Sequence, residues 1–327
     1  MSSCLCPQDL GENKMKEPLV LDNTKRSTYR LCKAKYYLQH LHGLQSNYGS
    51  TALRYGSTWH GVQEGFNKWV KENGWYKTQE EYIAALSAGL EHGNKVWEEE
   101  SESKLFHTDF KNFNTAADAF NQYLTYFAED KNHLEIIDTE KKFSCPIEPE
   151  SEAEARMLAK LPPVIFTGKI DLCVKMDGMN WIQDFKTTGW YLDKVIQQAN
   201  RSPQLIGYSY ASKEVLDFEV AGCLCSFHFL ASTKSKVTGE YGKVRFDFRR
   251  VPQIYTENDI SAWKLAFLDT CIDIQRSMEE NLWPQSFDNC YQYGACPYLK
   301  LCQQHVEFEE LNLEGFHEAF WDVLEEE

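Results

Sequence analysis

The sequence predicts an α/β fold, a mixed sheet flanked by helices. Apolar residues recur at i, i+3 and i+4 as far as Asp130 and then switch to a period of two, with helical stretches placed among and after the alternating segments. The chain has 327 residues, 43% hydrophobic and 14% aromatic, which suffices for one large core. No internal repeat or low-complexity linker divides it.

Residues 1–20 read as a flexible N-terminus and 21–302 as a single domain. Ser27 to Leu44 has a helical pattern. The helical part, about 51–133, holds three helices between Ser57 and Asp130, the first capped by Ser57 and carrying Trp59, Val62, Phe66, Trp69 and Val70 on one stripe. His60 and Glu64 fall roughly 120–160° from that stripe at 3.6 residues per turn. His60 is therefore either a surface residue or directed into a cleft. The sheet core, about 134–255, contains strands near Leu134–Cys145, Val164–Lys175, Trp181–Lys186, Glu219–Leu230 and Lys243–Val251. Ser202 as N-cap and Pro203 at the first helical position start a helix among them. A long helix from about Glu257 to Asn281 follows, then a cysteine-rich loop, and 303–327 reads as an acidic C-terminal helix.

The formal charge is −15, from 34 Lys+Arg against 49 Asp+Glu, which at first argues against a nucleic-acid partner. Its distribution reverses the argument. No Lys or Arg follows Cys302, and nine acidic residues lie between Glu307 and Glu327, so the rest carries −6. Lys25, Arg26, Arg30, Lys33 and Lys35 are interleaved with Tyr29, Tyr36 and Tyr37, a candidate DNA-binding stretch. The tail, with Phe308, Leu311, Phe316, Phe320, Trp321 and Leu324, could dock a protein partner. No apolar run approaches the roughly 18–20 residues needed to span a bilayer, and the start lacks a signal peptide's pattern, so a soluble cytoplasmic protein, cellular or phage-encoded, is expected. The eleven cysteines suit a reducing compartment as thiols or metal ligands.

The chemistry concentrates in a hairpin. Val164–Lys175 and Trp181–Lys186 flank Met176-Asp177-Gly178-Met179, and Asp-Gly between apolar runs signals a two-residue turn. That turn sets Asp171 opposite Asp184, whereas a four-residue turn would pair Asp171 with Lys186. Either register gathers Asp171, Asp184 and Lys186 on one face. Two carboxylates about 5 Å apart repel by roughly 3 kcal/mol at an effective dielectric of 20, large against a net stability of about 5–15 kcal/mol. A divalent cation would offset it, and so would Lys169 with Lys186. A carboxylate two residues before Lys is common here, as at Glu12, Glu102, Asp109, Glu129 and Glu140, so only the strand context gives the pattern meaning. Gln204 and Tyr208 share a helical face eighteen residues beyond Lys186. Cys290, Cys296 and Cys302 lie within thirteen residues that include Gly294 and Pro297, and three thiolates leave a tetrahedral ion or a cluster one ligand short. Cys32 is the candidate fourth.

From Ser27 to Cys302 these elements resemble, in order, the RecB-like branch of the PD-(D/E)XK nucleases with an iron–sulfur cluster. The segment around Cys32 is similar to the opening helix with the first cluster cysteine. Tyr55-Gly56-Ser57-Thr58-Trp59-His60 resembles the segment with the metal-binding histidine, and Gly168-Lys169-Ile170-Asp171 and Asp184-Phe185-Lys186 resemble the two acidic motifs. Gln204 to Tyr208 looks like the following Gln-x-x-x-Tyr motif. The resemblance implies a restriction-endonuclease-like fold with a helical insertion and a terminal cysteine cluster. It implies Mg²⁺ or Mn²⁺ on His60, Asp171, Asp184 and the Phe185 carbonyl, with Lys186, Gln204 and Tyr208 completing the catalytic set. It further implies a [4Fe-4S] cluster on Cys32, Cys290, Cys296 and Cys302, and exonuclease action on DNA ends or single strands in recombination, repair, phage replication or CRISPR adaptation. Lys33 replaces the family's usual Pro, and the x5, x5 cysteine spacing is wider than the usual one, which leaves Zn²⁺ open. No phosphate-binding Gly-x-x-x-x-Gly-Lys loop occurs. A non-catalytic nucleic-acid-binding or assembly subunit is the alternative.

Overall fold

The computed structural model describes residues 17–107, 109–292, 294–320 and 323–324. The chain opens with β1 (Leu19–Leu21), α1 (Asn23–Leu31), α2 (Lys33–Tyr36), a π-helical turn (Tyr37–Leu41) and β2 (Leu44–Ser46). Long helices α3 (Thr51–Asn73), α4 (Gln79–Ser103) and α5 (Phe113–Tyr126) follow, with a short α6 (Asp130–His133). Then come β3 (Leu134–Pro146), α7 (Glu152–Leu158), β4 (Val164–Met176), β5 (Met179–Thr188), α8 (Leu192–Ala199), α9 (Pro203–Val215), β6 (Gly222–Ala231) and β7 (Arg245–Gln253). The long α10 (Glu257–Glu280), a single-turn α11 (Leu299–Cys302) and β8 (Phe316–Glu318) complete it.

Six strands form a mixed sheet. β3 runs antiparallel along one side of β4, while the other side of β4 is shared by β1, parallel at Val164–Phe166, and β5, antiparallel at Leu172–Met176. β5 pairs with β6 in parallel, and β6 with β7 in antiparallel fashion. The strand period divides the core between two faces. Ile182, Cys223 and Cys225 pack with Trp263, Phe267 and Leu205 beneath α9 and α10, and Trp181, Phe185 and Leu224 pack with Trp59, Phe66 and Phe120 beneath α3 and α5. The mixed sheet between helices matches the fold expected from the sequence.

The hairpin closes on two residues. Asp177 and Gly178 have φ of 50° and 84°, the left-handed pair a type I′ turn needs, and Met176 faces Met179. Continuing that register places Asp171 opposite Asp184.

Four expectations are corrected. Residues 19 and 20 are in β1 rather than a loose terminus, because Leu19 and Leu21 are buried against β4; residues 1–16, with Cys4 and Cys6, lie outside the described residues. The helix expected over Ser27–Leu44 breaks at Cys32, whose extended backbone (φ −163°, ψ 119°) interrupts the hydrogen-bond ladder. Helix α3 begins at Thr51 with Ser50 as N-cap, so Ser57 caps nothing and its hydroxyl turns back to the Leu53 carbonyl. Among the described residues the acidic tail holds a single 3₁₀ turn, Phe308–Glu310, rather than a continuous helix. Gly315 (φ 88°) turns the chain so that β8 pairs antiparallel with β2, and Phe308 and Phe316 insert beside His42 and Tyr298. Burying those rings holds the segment against the cysteine-bearing loop; Trp321 and residues 325–327 lie outside the described residues.

Candidate active site

Gly168 lets the site assemble, since a Cβ there would lie 2.5 Å from the Phe143 ring and 3.1 Å from that of Tyr208. On this part of the sheet Asp171 accepts a hydrogen bond from the Phe185 N–H at 2.9 Å, tying the two acidic segments together. His60 reaches in from α3, its Nδ1 3.3 Å from Asp171 Oδ2. It stands in the middle of α3 rather than near its start, off the buried Tyr55, Trp59, Val62, Phe66 stripe, and faces the cleft as one of the two sequence readings required.

Lys186 Nζ lies 2.8 Å from both oxygens of the buried Asp184 and donates to Gln204 Oε1, also at 2.8 Å. Gln204 Nε2 donates to Tyr208 Oη at 3.1 Å, and Tyr208 Oη donates to the Lys169 carbonyl at 2.9 Å. A relay thus runs from β4 through α9 to the ammonium group. The Gln-x-x-x-Tyr pair, one helical turn apart, orients Lys186. Tyr208 is buried and reaches Lys186 through Gln204.

The charges are unequal in environment. Burial disfavours the Asp171 carboxylate, but His60, Lys186 and the Phe185 N–H together hold its pKa below the ordinary value. Asp184 goes the other way, raised by burial and then by Asp171 against the pull of Lys186. Burial works against protonated His60 and Lys186, yet the two aspartates outweigh it and raise both.

Sequence reasoning missed Glu140. It stands opposite Asp171 in the β3–β4 register, after a bulge between Ile136 and Asp138, with a strained φ of 50°. Burial, then Asp171 with Glu64, lift its pKa to about 7 despite Lys169 at 2.5 Å. Glu64 is one turn beyond His60; His92 and Lys68 hold it at about 2 against burial. His60, Glu64, Glu140, Lys169 and Asp171 line a cleft of about 940 Å³ together with Lys104, Lys111 and Thr187.

The cationic stretch is less available than the sequence suggests. Tyr29 and Tyr36 are core residues, 2% and 3% exposed, and cannot stack on a strand; Lys33 is held by Asp273 at 2.6 Å. Arg26 and Lys25 are partly buried, Arg30 is exposed, and Lys35 lines a separate cavity of about 70 Å³. Cys32, Cys290, Cys296 and Cys302 all line that cavity. Burial and then the crowding of Cys32, Cys296 and Cys290 push the Cys302 thiol up to about 11. The break at Cys32 brings it to the loop, where its sulfur accepts from the Ser286 N–H at 3.4 Å.

The sequence profile of the PD-(D/E)XK nuclease superfamily matches residues 23–303. The chain belongs to that superfamily. No curated protein matches it. A solved structure described as "Crystal structure of SSO0001" aligns over 76% of this chain and 86% of its own, at 11% identity and a TM-score of 0.29, a likeness too slight to carry an argument. Nucleases of this superfamily typically use Mg²⁺ or Mn²⁺. Among the described residues no group of three or more His, Cys, Asp or Glu forms a ready-made metal centre. The residues nevertheless fit such ions: Asp184 Oδ2 is buried and carries no hydrogen bond beyond its ion contact with Lys186 Nζ, and Asp171 and His60 stand on the same part of the sheet. The four thiols that share the second cavity suit softer metals, iron or zinc. No helix among the described residues is long and apolar enough to cross a membrane.

Proposed function

We propose that this nuclease-family chain is a Mg²⁺- or Mn²⁺-dependent deoxyribonuclease acting on DNA ends or single strands. The observation that carries the reading is the Asp184–Lys186–Gln204–Tyr208 relay beside Asp171 and His60. Asp171, Asp184, His60 and the Phe185 carbonyl would hold the cation. When bound, it would supply an activated water and charge stabilisation at the scissile phosphate. Lys186, fixed by Gln204, orients that water and can take up or release a proton at Nζ. The Phe185 N–H and His60 Nδ1 both meet Asp171 Oδ2, so the carboxylate keeps one orientation. Lys104, Lys111 and Lys169 along the cleft would meet the phosphates.

The four cysteines would bind a [4Fe-4S] cluster, with Zn²⁺ the other fit to four thiolates. Either would join the α1–α2 break to the C-terminal loop. The processes in view are recombination, repair, phage replication and CRISPR adaptation. A purely binding role has no use for the buried relay, and a fluorescent single strand retained without any cleavage would favour it. The test is a time course with Mn²⁺ on end-labelled linear and on circular single strands. Cleavage confined to linear strands supports an exonuclease, equal cleavage of both supports an endonuclease, and cleavage of neither removes the proposal.

A further inference from the structure

Trp190 and Tyr191 are 63% and 84% exposed, adjacent in sequence, and only four and five residues beyond Lys186. Two large rings side by side in water are an unusual surface, and their place gives them a use. Thr187 and Thr188 line both the cleft and a second cavity of about 370 Å³, whose walls include Lys186, Arg201 and Phe227. The rings directly follow this ridge between the two cavities. The turn is fixed locally, with the Trp190 N–H donating to Thr188 Oγ1 at 3.0 Å, and Tyr191 serves as the N-cap of α8.

Basic side chains stand on the elements that adjoin them. Lys194 Nζ lies 4.8 Å from the Trp190 ring centre. Thr188 pairs with Phe229 in parallel, so β5 and β6 finish at the same end of the sheet, and the β6–β7 connection leaving that end carries exposed Lys234, Lys236 and Lys243, with exposed Arg245 at the start of β7.

We propose that Trp190 and Tyr191 form a stacking step for the unpaired bases of a DNA strand passing Lys186, with Lys194 and the basic β6–β7 connection holding its phosphates. The proposal rests on the nuclease reading and makes single-stranded DNA the substrate. Every base has a face that can stack, but within a duplex those faces are covered by neighbouring pairs. The interaction therefore selects strand state and not sequence.

The experiment measures anisotropy of labelled strands with the full chain in EDTA, where cleavage is suppressed. Oligo-dT, an abasic strand of equal length and a blunt duplex are compared. Replacing both rings (Trp190→Ala with Tyr191→Ala) should weaken oligo-dT binding about tenfold or more while leaving the abasic strand unaffected, and Trp190→Phe with Tyr191→Phe should restore most of it. The slope of log affinity against log salt should not move, because no phosphate contact is lost. Equal weakening on dT and abasic strands, or no weakening, overturns the stacking step. If the wild type cleaves DNA with Mn²⁺ while the alanine variant binds dT normally, only the step fails. A wild type that neither binds nor cleaves any strand removes the nuclease reading and the step together.

Discussion

Glu140→Gln tests the electrostatics of the site without removing any residue of the relay. Glu140 is set opposite Asp171, with a pKa near 7 against an ordinary 4.5, because burial, Asp171 and Glu64 outweigh Lys169. A carboxyl with a raised folded pKa binds more protons folded than unfolded between those values. Stability from this group therefore falls as pH rises from 4.5 to 7, and the cost is complete above 7. At 1.36 kcal/mol per unit the cost is on the order of 3 kcal/mol, or about 4 °C in Tm for a chain this long. The side chain is only 14% exposed, so solvent screens little of it. In EDTA, the melting temperature of Glu140→Gln should match the wild type near pH 4.5 and exceed it by several degrees at pH 8. Parallel Tm–pH curves from pH 4.5 to 8 would refute the reasoning, since they would show that Glu140 titrates alike in folded and unfolded chains.

The other predictions concern separate parts of the molecule. Lys264 is fully buried, 3.2 Å from Glu150 and from the buried Glu154, so Lys264→Met should cost about 3–5 kcal/mol in denaturant melts by stranding the Glu154 charge. Tyr208→Phe keeps the ring packing but removes the donor to the Lys169 carbonyl and the acceptor for Gln204; cleavage should slow roughly tenfold in kcat, with Tm lowered by no more than a few degrees. Cys32→Ser should lower bound iron or zinc, measured by elemental analysis of anaerobically purified protein, and metal content equal to wild type would separate Cys32 from the cavity's ligands.

Much of this was legible because its signals are local. Asp177-Gly178 signalled a turn, and either length of that turn gathered Asp171, Asp184 and Lys186 on one face; the two-residue form, which pairs Asp171 with Asp184, is the one the structure adopts. The i, i+4 spacing of Gln204 and Tyr208 likewise announced a shared face. Glu140 was not legible, for its position depends on a bulge between Ile136 and Asp138 that shifts β3 against β4. In the sequence it was one more carboxylate two residues from a lysine. The tail misled because Phe308 and Phe316 satisfy a helical stripe, whereas burial beside His42 and Tyr298 and the turn at Gly315 draw them into a different arrangement. Similarly, the spacing of Tyr29 and Tyr36 suits a strand-binding face equally well, and only tertiary packing turns them inward.

In the proposed function the buried Asp184 carboxylate beside Lys186 would hold the catalytic cation. Asp184→Asn keeps the volume and one oxygen while removing the charge. Titration calorimetry with Mn²⁺, paired with cleavage of an end-labelled single strand, tests it most directly. The Mn²⁺ binding isotherm should be lost and cleavage should fall by at least about a hundredfold, since several kcal/mol of transition-state stabilisation leave with the ion. An Asp184→Asn protein that binds Mn²⁺ and degrades DNA at the wild-type rate would contradict that role.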